Sequence, residues 1–127
     1  MATLEVLYGP IIEAGESLSE GIDCSAGEVV RLTMPAQWSP ATLSFAISTD
    51  GEGYNDLFYP DGQEVMINVV PGTAVAIPPE WSRPIVFLKV RSGTRDRPVE
   101  QEARREFAVA IRADVISDTP APRTRKS

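Results

Sequence analysis

Apolar and polar residues alternate with a period of two over most of the chain, the pattern of strands that turn one face to a core and the other to water. Val30, Leu32 and Met34 alternate with Val29, Arg31 and Thr33, and Leu43, Phe45 and Ile47 with Ser44, Ala46 and Ser48. Val65, Ile67 and Val69 alternate with Met66, Asn68 and Val70, and Val86, Leu88 and Val90 with Phe87, Lys89 and Arg91. Phe107, Val109 and Ile111 alternate with Ala108, Ala110 and Arg112 before Asp114 and Val115 close the last core strand. Shorter strands are expected over residues 3–8, 17–24, 54–59 and 73–77. The dipeptides Gly9-Pro10, Asp50-Gly51, Asp61-Gly62 and Pro71-Gly72 punctuate them. Glycine supplies positive φ, proline fixes φ and aspartate bonds its own backbone, so each pair is expected to stop a strand and imply a hairpin.

The one helical candidate is residues 99–105, where Glu100, Gln101, Glu102, Ala103, Arg104 and Arg105 are good helix formers with a charged i, i+4 pair. It has no apolar stripe, so the preferred reading is a strand that begins near Ala103. About eight short strands without a long amphipathic helix predict an all-β fold, a β-sandwich of jelly-roll-like kind. At 127 residues the chain has the size of one domain. The expected division is a sandwich over residues 1–116 and an extended, basic, proline-containing C-terminal tail over residues 117–127.

Charge sharpens that division. The net charge is −6, and residues 119–127 carry Arg123, Arg125 and Lys126 with no acid, which leaves the rest of the chain at −9. An acidic body repels phosphates and anionic lipid, so neither nucleic acid nor membrane is expected as a partner. No apolar run approaches the ~20 residues of a membrane span, and the first residues lack the pattern of a secretory signal, so synthesis in a cytoplasm is expected. Cys24 is the only cysteine, which excludes an internal disulfide and a thiolate zinc cluster. A small buried or turn residue is the preferred reading of it over a reactive thiol.

Histidine is absent, which removes the commonest general base and metal ligand and with them every Ser-His-Asp triad. No phosphate-cradling glycine motif occurs. Asp50, Glu52, Asp56, Asp61 and Glu64 are dense enough to supply a carboxylate pair, but acids around Gly51, Gly53 and Gly62 are also what solvated turns look like, and that reading is preferred. Oxygen ligands alternate along Asp50-Gly51-Glu52-Gly53-Tyr54-Asn55-Asp56, yet Asn55 and Asp61 stand where the helix-loop-helix calcium motif needs glycine and glutamate. No cofactor or metal is expected. Trp38 and Trp81 each lie near prolines in expected loops, where an indole either closes the end of a core, the preferred reading, or meets a partner or a sugar. With Arg123, Arg125 and Lys126 they are the candidate partner contacts.

Several motifs in order resemble a family of small β-sandwich structural proteins from the virions of tailed bacteriophages and prophages. They are Ala14-Gly15-Glu16-Ser17-Leu18-Ser19, Leu32-Thr33-Met34-Pro35-Ala36-Gln37-Trp38 and Leu43-Ser44-Phe45-Ala46-Ile47-Ser48-Thr49-Asp50-Gly51. The second half continues with Tyr54-Asn55-Asp56-Leu57, Phe87-Leu88-Lys89-Val90-Arg91-Ser92-Gly93-Thr94 and Pro98-Val99-Glu100-Gln101. The same motifs look like a degenerate discoidin-type sandwich with a hairpin at residues 48–51 and a central strand at residues 87–91. The phage resemblance implies a non-enzymatic particle component located in the virion. The favoured role is a capsid decoration or cement protein on the outer surface of the head, with the major capsid protein and copies of itself, a trimer, as partners. The alternative is a carbohydrate- or receptor-binding module of a tail fibre, spike or baseplate, with a glycan held by Trp38, Trp81 and the acidic loop. A small hydrolase built on the carboxylate cluster is the least favoured reading.

Overall fold

The computed structural model describes residues 2–114, and the boundary expected at residue 116 and the whole C-terminal tail lie outside them. Among the described residues, nine strands form two antiparallel sheets. One sheet has the order β1 (Ala2–Ile12), β9 (Arg105–Asp114), β3 (Glu28–Thr33), β7 (Ala74–Ala76). The other has the order β2 (Ile22–Asp23), β8 (Phe87–Ser92), β4 (Leu43–Ser48), β5 (Asn55–Asp56), and β6 (Met66–Ile67) also pairs with β4. Six of the eight connections between successive strands pass from one sheet to the other, so the chain winds around its core. The fold is the expected all-β sandwich.

The core lies where the alternating apolar faces meet. Val29, Leu32, Leu43, Phe45, Leu88, Val90, Phe107, Val109 and Ile111 are all buried. In β9 the expected phase holds along the strand, because it is flanked on both sides by β1 and β3 and its pleat is fixed by both. In β3 it does not. The register slips between Val29 and Arg31 against β9, so Val29 and Leu32 both face inward and Val30 absorbs the extra position. A bulge of this kind sets two residues against one and resets the alternation.

Four other expectations change. Gly9-Pro10 does not end a strand: β1 runs on to Ile12 across a register shift between Tyr8 and Ile11. Pro71-Gly72 makes no hairpin, because it joins β6 in one sheet to β7 in the other. Residues 99–104 are neither helix nor strand, and β9 starts at Arg105 instead of near Ala103. The one helix among the described residues is the single turn α1 (Pro79–Ser82), started by Pro79 at its first position, where a loop was expected around Trp81. Asp50-Gly51 does build the expected hairpin, setting Ile47 against Asn55 and Ala46 against Asp56.

Candidate functional site

The two tryptophans lie at separate places in the core. Trp38 follows β3, is buried, and meets Phe107 edge-on with ring centroids 5.6 Å apart. Its Nε1 donates to the Ala41 carbonyl at 3.1 Å, so the indole's only polar atom is satisfied inside the loop. The rim of its ring joins Pro40, Ala41, Thr42, Asn68, Val69 and Pro71 around a shallow groove of about 420 Å³. Trp81, on α1, is half-buried and packs against Phe45 at 6.2 Å and Tyr59 at 6.1 Å. It also lines a small apolar void between the sheets with Leu32, Leu57, Ile77 and Leu88. Arg123, Arg125 and Lys126 lie outside the described residues.

The acidic stretch resolves into turns and one ion-pair cluster. Asp50 Oδ1 accepts the N–H groups of Glu52 at 2.9 Å and Gly53 at 3.1 Å and the Ser48 hydroxyl at 2.9 Å. Those bonds favour the charged carboxylate and hold its pKa below the usual 3.8. Asp61 accepts the N–H of Gln63 at 2.9 Å in the next turn. Asp56 and Glu64 instead clasp Arg91, whose guanidinium bonds Asp56 Oδ1, Glu64 Oε2 at 3.4 Å and the Ser44 hydroxyl at 3.2 Å. Arg95 closes the cluster: its N–H donates to Glu64 Oε2 at 3.0 Å and its Nε lies 3.3 Å from Asp56 Oδ2. A carboxylate pair is therefore present, with an arginine between its members. Among the described residues no group of three or more acids, cysteines or histidines converges as a metal site would.

Sequence reasoning missed both Arg91 and a second polar cluster. Arg91 stands on the polar side of β8, read from alternation as the solvent face, yet it is only 9 % exposed because the segment from Asp56 to Glu64 crosses over it. In the second cluster the fully buried Gln101 donates from Nε2 to the Ser39 carbonyl at 3.1 Å and the Ser92 hydroxyl at 2.8 Å. Its Oε1 accepts the Ser39 N–H and Arg105 Nε, both at 2.9 Å. Gln101 and Arg105 are thus interior members of a segment whose sequence looks solvated throughout. A faint signal exists in hindsight: a stretch that is neither amphipathic helix nor alternating strand needs side chains to satisfy its backbone.

Cys24 is fully buried. Burial first, and then the charge of Asp23, push its thiol up to about 11, so it is protonated and unreactive near neutral pH.

Fold and polar clusters together define a β-sandwich whose interior polar side chains bond backbone groups, less buried acids and one another. Compared with known proteins, the chain matches no family model, no curated protein and no solved structure.

Proposed function

We propose that this protein is a non-enzymatic structural component of a tailed-phage virion, a decoration or cement protein that binds the outer surface of the capsid. The motif order described above is the ground for the phage assignment. The observation that supports a structural role is how the acidic stretch is used. Asp50 and Asp61 brace turns and Asp56 and Glu64 hold Arg91, so the acids that could have formed a reactive pair tie strands and loops together instead. Both indoles are likewise engaged in packing. A decoration protein needs a rigid body and an extension that reaches a neighbouring subunit, and Arg123, Arg125 and Lys126 give the C-terminal segment cations for acidic groups on a capsid surface.

The test is binding to bare capsids. Full-length protein is expected to saturate particles stoichiometrically, and protein ending at residue 116 to bind more weakly at the same salt concentration while keeping its circular dichroism spectrum. Equal occupancy by both forms would reject the role of the segment. Density for this sandwich confined to a tail tip or fibre in a virion map would reject the capsid assignment.

A further inference from the structure

Edge strands expose unpaired N–H and C=O groups, and sandwiches commonly protect them by keeping them short. β7, β2 and β5, which end the sheets elsewhere, have three, two and two residues. β1 has eleven, and its outer edge has no partner strand among the described residues. Nor is it guarded by lysine, and its first proline is Pro10; over residues 3–9 its only charge is Glu5. On the sheet's solvent face stand Leu4, Val6 and Tyr8, which are 57 %, 41 % and 79 % exposed. Their neighbours across β9 are Arg112, Ala110 and Ala108, and the two alanines are too short to cover them. The result is an apolar edge over residues 3–8, before the bulge and the buried Gly9 and Pro10, and it is the kind of surface that associates with another strand.

We propose that this edge pairs with β1 of a second copy, antiparallel about a two-fold axis at Val6, merging two four-stranded sheets into one of eight. A two-fold axis perpendicular to a sheet keeps faces in common, so only registers that oppose residues of the same face are allowed. In the Val6-centred register Val6 meets its own copy, Leu4 meets the second copy's Tyr8, and Glu5 meets its Leu7. Sliding one step toward the N-terminus opposes Glu5 to Glu5, two like charges. Sliding one step the other way sets Leu4 against Pro10, which has no N–H to give. Charge and backbone chemistry therefore select one register, and it is the one that unites the exposed side chains in a single ladder. Strand pairing over residues 4–8 with six large side chains packed together buries on the order of 1,000 Å² or less, the range of a weak, reversible dimer. The inference stands apart from the capsid reading, since it concerns the free protein.

Sedimentation velocity of the full chain from micromolar to submillimolar concentration is expected to show monomer converting to a two-copy species. Val6→Lys, which places like charges face to face on the axis, should raise the dissociation constant at least about tenfold and leave the melting temperature of the dilute monomer unchanged. In a second measurement, Val6→Cys should be bridged to its own copy by a short bis-maleimide, whereas Val70→Cys, at a residue 61 % exposed elsewhere, should not. A monomer at every concentration, a trimer, or a dimer indifferent to Val6→Lys would overturn the proposal. So would slow exchange, in dilute monomer, of those residue 4–8 amides that point away from β9, which would give the edge to another segment of the same chain.

Discussion

At Gln101 one side chain holds four partners at once: both backbone groups of Ser39, the Ser92 hydroxyl and Arg105 Nε. No apolar side chain of the same length can do this, and in a buried site the groups it released would have no water to turn to. Gln101→Leu is accordingly expected to lower the unfolding free energy by about 3 kcal/mol, measured by urea denaturation with the m-value unchanged. Ser39→Ala removes only the hydroxyl, which accepts from Arg105 Nη2 at 3.2 Å and donates to the exposed Glu102 carboxylate at 3.4 Å, and should cost about 1 kcal/mol or less. If the two variants lost the same stability, the glutamine would be ordinary core filling.

Most elements of this sandwich are short, and their ends are fixed by contacts between distant pieces of backbone. The turn after β8 shows this best. Gly93 has φ +89°, and its N–H donates to the Thr42 carbonyl at 2.7 Å while the Thr94–Arg97 turn folds back over it. A Cβ there would lie 2.4 Å from the Arg97 carbonyl oxygen, a backbone atom that has no room to move. Gly62 has the same φ of +89° in the turn after Tyr59, with nothing within 4 Å of the corresponding Cβ. The pair separates conformational strain from steric clash. Gly62→Ala is expected to cost about 1–2 kcal/mol, the left-handed penalty alone, and Gly93→Ala clearly more, by thermal denaturation of both variants side by side.

For the whole molecule, the titrating groups confine maximal stability to a middle range of pH. Burial raises the Cys24 thiol from 9.0 to about 11, and burial followed by the Asp50 charge raises the Tyr54 hydroxyl. A raised pKa means the folded state favours the protonated form, so this stabilisation is complete below pH 9 and is lost as pH climbs toward about 11. At the acid end the signs reverse. Asp23, bonded by the side chain and the N–H of Ser25, and Asp50, in its hairpin, have lowered values, so their contribution is present above the usual 3.8 and disappears as pH falls below it. Melting temperature is therefore expected to drop between pH 9 and 11, with a shallower drop in Cys24→Ala. An alkaline limb of identical slope in that variant would assign the loss to other groups.

How much of this protein was legible in its sequence depended on whether the cause was local. The period-two runs, the Asp50-Gly51 hairpin and the all-β class could be read directly, because pleat geometry and turn chemistry involve residues a few positions apart. The even phase of β9 followed as well, because both register slips against it fall on its partners, β1 and β3. The phase of β3 did not, since its bulge arises from how the strand aligns with β9, some eighty residues later in the chain. Nor did the burial of Ser44, Arg91, Gln101 and Arg105, which alternation or polarity assigns to solvent. Whether a polar face meets water is decided by which distant segments come to lie over it: residues 56–64 for Arg91, and the loop of Ser39 for Gln101. The isolation of β1 at a sheet edge belongs to the same class. Its apolar residues are written in the sequence, but strand order alone, fixed by the closing of the whole sandwich, leaves them facing outward with no strand beyond β1 among the described residues.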